Sequence, residues 1–326
     1  MKKKIFLVFV FFQFIPLYAK EKNWGFSILP AVNLTLGTLG EYLFSQYDTD
    51  LIVSDLQWNE CPLWSVSIDG EYNYKNFFIA AGFSYFIPAA CGAMYDSDYN
   101  SDFKTNYWIF KNSSDFAFEL SADVKYKFNV HGIKIIPALK TIYSVKNFKG
   151  FDGYGYSGDS ANTSNGVDVP WNSSMARKAY KVSGINYSRE TLYTFAGCQV
   201  DFKIKRFAIS LGFFVSPFTM TNCLDYHTDE TGDTPGYKSY SAQYSYFTRF
   251  LATLCMSYDF TESFSLVVDV TGLWGMIDKG YLVTNYGRTG ESYGIFAEQN
   301  QYYLSKQKSG SCIKEFSLKT GCRILF

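Results

Sequence analysis

The chain has 326 residues, with 30 Lys and Arg against 30 Asp and Glu. That balance excludes a nucleic-acid binder driven by phosphate attraction, which needs a basic excess. The hydrophobic fraction of 47% excludes wholesale disorder, and the anomaly is an aromatic content of 20%, which suits strands that carry rings on a half-buried or lipid-facing surface.

Residues 1–19 read as a secretory signal. Lys2, Lys3 and Lys4 form a basic start, Ile5 to Leu17 is an apolar run, and Ala19 offers a small residue for cleavage. The run is shorter than the ~20 residues of a spanning helix. The remainder, 20–326, shows no internal repeat and reads as a single β-barrel domain with long extracellular loops.

Period-two alternation dominates that remainder. Phe116, Phe118, Leu120, Ala122, Val124, Tyr126 and Phe128 share one face of a strand whose other face carries Glu119, Asp123 and Lys125. The last segment repeats the design with Phe316, Leu318, Thr320, Cys322, Ile324 and Phe326. Ten strands are expected, at about 24–46, 55–72, 76–89, 114–128, 133–148, 190–203, 206–222, 242–259, 264–276 and 312–326. Tight links around Lys75, His131, Lys205 and Phe260 alternate with links of about ten to forty residues. Short turns on one side, long loops on the other and an even strand count predict an all-β fold: a ten-stranded antiparallel transmembrane β-barrel of the outer-membrane type. Closure removes the sheet edges, so every backbone group in lipid finds a partner. Phe116, Leu120, Val124, Phe316 and Ile324 are expected to face lipid. A soluble sandwich would not sort its loops by length. Helices at Phe77–Met94 and Phe207–Leu224 conflict with the alternation and with Pro88 and Pro217.

Seven cysteines stand at 61, 91, 198, 223, 255, 312 and 322. The odd count and the absence of a CxxC pair predict neither a metal knuckle nor a disulfide framework.

Two acidic motifs carry the chemistry. Met94-Tyr95-Asp96-Ser97-Asp98-Tyr99 follows the third expected strand, and Leu224-Asp225-Tyr226-His227 follows the seventh. Both strands run outward, four apart in a ring of ten, so the motifs face each other across the mouth. D-x-D puts two carboxylates on one side of an extended chain, and D-x-H does the same for an acid and an imidazole. An imidazole beside a carboxylate can take a proton from water. Of two crowded carboxylates, one can stay protonated and donate to a leaving amine. Asp96 and Asp98 have the lumen parity of Ser84, whereas Asp225 and His227 have the opposite parity to their strand's lumen face. A bulge is therefore expected near Ser216-Pro217.

At these residues the chain resembles the omptin family, outer-membrane proteases built on ten-stranded barrels. Leu36-Gly37-Thr38-Leu39 with Gly40, Ser54-Asp55-Leu56-Gln57-Trp58, Met94 to Tyr99, and Asp225-Tyr226-His227 look like four of its motifs in order. The family's Trp-Thr-Asp stretch is missing, with Asn106-Tyr107-Trp108 in its place. Its aromatic–glycine stretch survives loosely as Phe148, Gly150, Gly153 and Tyr154. The resemblance implies catalytic roles for Asp96, Asp98, Asp225 and His227, with a water between Asp96 and His227 attacking the scissile carbonyl. It also implies a first substrate pocket at the positions of Phe44 and Cys223, where the family carries acids that pair with Arg or Lys. Neither residue here is an acid, and alternation puts Glu41 on the face opposite Phe44. Dibasic substrates are therefore expected to be poor.

The expected function is an outer-membrane endopeptidase acting on polypeptides at the cell exterior. It would be a monomer among outer-membrane lipids, with no nucleic acid and no metal or other cofactor beyond an open question of lipid dependence. The competing readings are an inactive barrel serving as an adhesin and a small pore. Retention of all four acid/base residues favours the first, because a binding protein has no reason to keep them. Inward Asp123, Lys125, Glu119, Asp201 and Arg249 would fill a pore.

Overall fold

The computed structural model describes residues 24–45, 47–48, 50–101, 103–130, 133–182, 184–227, 238–285 and 308–326. The signal expected at 1–19 and His131 lie outside the described residues. Among the described residues every regular element is a strand: β1 (Trp24–Phe44), β2 (Ile52–Tyr74), β3 (Phe77–Phe86), β4 (Ala89–Asn100), β5 (Phe103–Tyr126), β6 (Phe128–Val130), β7 (Ile133–Ser157), β8 (Arg177–Val182), β9 (Ile185–Ile204), β10 (Phe207–His227), β11 (Lys238–Ser245), β12 (Arg249–Asp259), β13 (Phe264–Gly275), β14 (Asp278–Asn285) and β15 (Lys308–Leu325). Five consecutive pairs (β3/β4, β5/β6, β8/β9, β11/β12 and β13/β14) continue one another past a short break, so these segments make a wall of ten antiparallel strands. β1 pairs with β15 from Ser27↔Leu325 to Leu43↔Ser309, which closes the ring.

The lower wall follows from the alternation. Phe116, Leu120, Val124, Phe316 and Ile324 all project outward and exposed, as expected of lipid-facing residues. Phe213, Phe250 and Trp274 pack on one another at one end of this apolar band. Tyr126 with Phe128, and Phe260 with Tyr258 and Phe264, ring the other end. From Phe116 to Tyr126 the strand rises about 3.4 Å per residue, and at a tilt of ~40° that spans roughly 26 Å, the height of an outer-membrane apolar band. Lys75 and Lys205 adopt positive φ (both 55°) in the tight turns at the lower end.

Where the strands leave this band, the ladder is interrupted on β2, β4, β5 and β10. β2 gains a residue at Cys61-Pro62 relative to β1, as Thr35 pairs with Leu63 but Gly37 with Glu60. β4 gains one between Ala90 and Ala93, and β5 one between Ser114 and Phe116. β10 gains one between Val215 and Phe218, which is the bulge expected near Ser216-Pro217. An extra residue swaps the faces of the strand beyond it. Thr221, Cys223 and Asp225 accordingly point inward although lower β10 buries Phe214 and Ser216.

Above the belt the wall rises further than the sequence reading allowed. The third barrel strand does not end near residue 89; β4 runs to Asn100, and only 101–102 separate it from β5. β2 likewise starts at Ile52, and β10 continues to His227. The aspartate motif and the Asp–His motif are thus strand residues, not loop residues. The reason is physical: above the lipid the outward face carries Tyr95, Ser97, Tyr99 and Tyr107 in place of aliphatics, so apolar alternation no longer marks the strand.

The interior is filled. Lys125 pairs with Glu71 at 2.9 Å, Lys140 with Asp123 at 3.2 Å and Lys319 with Asp69 at 2.8 Å. A cavity of about 160 Å³ lined by Asn33, Ser65, Asp69, Lys140, Asp269 and Lys319 lies among these groups. Above it, Lys146 meets Glu60 at 3.0 Å, Glu315 at 2.5 Å and Glu119 at 3.8 Å. Arg249, fully buried, is ion-paired with Asp278. Over these charges lies an apolar floor that includes Leu39, Leu56, Trp58, Met94, Phe148 and Tyr187.

Candidate active site

β2, β4 and β5 form one wall of the mouth. Leu56 pairs with Asp96 and Ser54 with Asp98, and on the other side Asp98 pairs with Asn106. The pleat sends Met94, Asp96 and Asp98 to the same face as Leu56 and Trp58. Asn106 Nδ2 donates to Asp98 Oδ2 at 3.1 Å. Asn106 Oδ1 accepts from Ser157 Oγ at 2.7 Å, and Ser157 Oγ accepts from Asn162 at 3.1 Å. β7 and the segment after it therefore brace the aspartate pair.

The two aspartates sit in different surroundings. Burial raises both carboxyls above their ordinary range. For Asp98 the hydrogen bonds from Asn106 and Ser54 oppose that rise. For Asp96 burial is followed by the charges of Asp98 and Asp55, which push it well above the usual carboxylate value. Asp98 is thus the member suited to carry negative charge, and Asp96 the member suited to hold a proton.

The opposite wall is β10 between β9 and β11. Asp225 pairs with Tyr187 and Ser239, and its carboxyl is 5% exposed. Burial lifts it well above its ordinary range, with further upward contributions from Glu41 and then from Asp96. The two walls meet through Trp58, paired with Met94 on β4, and Tyr187, paired with Asp225, whose rings stack. Burial lowers His227 to about 4, so its imidazole is neutral at neutral pH and able to accept a proton.

The pocket expected at Phe44 and Cys223 is built differently. Cys223 is buried, accepts a hydrogen bond from Tyr187 Oη at 3.2 Å, and is pushed up to about 12 by burial and then by Glu41. Phe44 packs instead against Gly310, with the Lys279 ammonium 5.0 Å over its ring. Phe44 and Glu41 lie on opposite faces of β1, and it is Glu41 that faces inward, 2% exposed. Unbroken alternation along β1 puts Phe44 on its outward face; the residue that shifts the register there, Val53, belongs to β2. The inward acid beside Cys223 is Glu41, so the premise that this pocket has no carboxylate fails. Glu41, Asn106, Ser54, Ser241 and Arg189 escaped the sequence reading. Ser54 lies in one of the four motifs and Asn106 at the missing one, but neither is an acid or base that the motif singles out; Glu41 shares the odd parity of Leu39, which points to the interior.

No family model and no curated protein sequence matches the chain. Among solved structures it superposes on the outer membrane protease OmpT from Escherichia coli with a TM-score of 0.73 and 14% identity, over 93% of this chain and 97% of that one. The fold is omptin-like. The translocator domain of the autotransporter NalP from Neisseria meningitidis matches at 0.33, with 8% identity over 91% and 88% of the two chains. The toluene transporter TodX from P. putida matches at 0.29, with 8% identity over 94% and 91%. These weaker similarities add no argument.

Proposed function

We propose that this chain is an endopeptidase of the outer membrane, hydrolysing polypeptides in the barrel mouth with Asp96, Asp98, Asp225 and His227. The observation that carries this reading is the convergence of two buried acid motifs from opposing walls, which meet where Trp58, paired with Met94 on one wall, stacks on Tyr187, paired with Asp225 on the other. Neutral His227 takes a proton from water. The hydroxide adds to the scissile carbonyl carbon, and a protonated carboxyl of the Asp96–Asp98 pair supplies the proton that leaves with the amine. Asp225 orients the imidazole and offsets the charge it gains. The residues call for no metal, and a monomer in outer-membrane lipid suffices. Similarity to a solved protease supports the fold on which this site is built.

The test is cleavage of an unstructured peptide mixture by the refolded protein, compared with His227→Ala and Asp96→Ala. Turnover by the parent and its loss in both variants supports the reading. Equal turnover in all three would end it. A parent that binds polypeptide without cutting it would favour the adhesin alternative.

A further inference from the structure

Glu41 projects from β1 across the interior toward β10 and β11. Its Oε1 accepts from Ser241 Oγ at 3.2 Å, and its carboxyl lies within hydrogen-bonding reach of Asp225. Both side chains are almost wholly buried. Glu41 Oε2 and Asp225 Oδ1 are each buried and accept from no N–H or hydroxyl donor. Two carboxylates can join only through a proton, and two bare charges this deep would each bear a large desolvation cost.

We propose that Glu41 is the proton-sharing partner of Asp225, so that the pair enters the reaction with one proton and one negative charge. Glu41 is then a positioning residue: Ser241 and Arg189 favour its carboxylate in the resting pair, the shared proton lies on the Asp225 side, and it passes to Glu41 as His227 gains its proton, so that Asp225 can offset the imidazolium. This rests on the catalytic reading of Asp225. The groups facing the pair fit a single charge. Arg189 on β9 favours ionisation of Glu41, while burial and then Glu41 itself disfavour a negative charge at Asp225. Cys223 and Tyr187 beside them are held neutral by burial. Arg189 gives Nη1 to the Cys312 carbonyl at 3.0 Å and Nε to Thr191 at 3.2 Å, and its buried Nη2 has no hydrogen-bond partner among the described residues; one guanidinium charge balances one carboxylate, not two.

The deciding experiment counts protonated carboxyls. Infrared spectra of the refolded parent and of the Glu41→Gln/Asp225→Asn double variant at neutral pH should differ by one protonated carboxyl stretch. A difference of two would mean independently neutral acids, and a difference of none would mean two carboxylates; either overturns the proposal. This count does not depend on activity, so an inactive parent would defeat the endopeptidase reading and leave the shared proton decided separately. In an active parent, Glu41→Gln keeps the donor and should hold kcat near the parent value. Glu41→Ala strands a buried acceptor and should lower kcat on the order of ten-fold, the equivalent of a lost hydrogen bond to a charged group. If Glu41→Gln instead raised KM for basic peptides with kcat unchanged, Glu41 would be an ionised binding group and the proposal would fail.

Discussion

Trp58 on β2 and Tyr187 on β9 stack across the barrel interior, 5.0 Å between ring centroids and 7° from parallel. Their strands are not neighbours in the wall, so the stack is a strut across the barrel. Phe148 packs on the same indole at 6.1 Å. The three rings form a floor beneath the acid site.

Trp58→Ala should therefore cost about 3–5 kcal/mol, the usual range for deleting a large buried ring. The indole Nε1 is buried with no acceptor. Trp58→Phe removes that unmet donor while keeping a ring, and should cost clearly less than the alanine change. Urea unfolding of the refolded barrel in lipid vesicles measures both.

Lys146 holds three buried or half-buried glutamates together. Lys146→Met leaves those charges without a counter-ion and should destabilise the barrel by about 3–5 kcal/mol. Adding Glu60→Gln and Glu315→Gln should recover most of the loss. A lack of recovery in the same unfolding assay would mean that Lys146 acts through packing and not charge.

Among the site residues, His227→Ala and Asp96→Ala should each reduce kcat by ~10²–10⁴-fold while heat-modifiability on gels still shows a folded barrel. Asn106→Ala gives a signed pH effect. Removing the donor to Asp98 raises that carboxyl further, so less of it is ionised at a given pH. The acid limb of the kcat/KM profile should move to higher pH; a profile unchanged by Asn106→Ala would remove Asp98 from the mechanism.

His227 also links stability to pH. Its folded value, about 4, lies below the ordinary ~6.5 of an unfolded histidine. On acidification the unfolded chain binds the proton first. Stability should fall as pH drops from about 6.5 toward about 4, and His227→Gln should remove that part of the slope. Unfolding free energies of both proteins at several pH values in this window give the comparison.

Much of the anchor was legible because lipid imposes a strict chemical contrast. Phe116, Leu120 and Val124 can face out only if Glu119 and Asp123 face in, and the parity conflict at Asp225 located a bulge that β10 contains. The upper wall was less legible because water faces its outside and apolar floor residues face its inside, so the contrast that marks a strand fades around Tyr95–Tyr99. Glu41 was misjudged for a related reason. Its role depends on Asp225 and Ser241, about 180 and 200 residues away. Contacts such as Lys146 with Glu60 and Glu315 join strands that no local pattern connects.

The belt of extra residues at the top of the apolar band gives the barrel two phases. Below it, side chains are sorted by solubility in lipid. Above it, β2, β4, β5 and β10 are re-timed by one residue and turn a different set of positions inward, while β1, β7, β9 and β15 keep step. Inserting or deleting a single residue at the belt, as at Ser216-Pro217 in β10, exchanges the whole upper face of that strand while leaving its anchor in step. The rim can thus acquire a new inward chemistry without renegotiating its fit to the membrane.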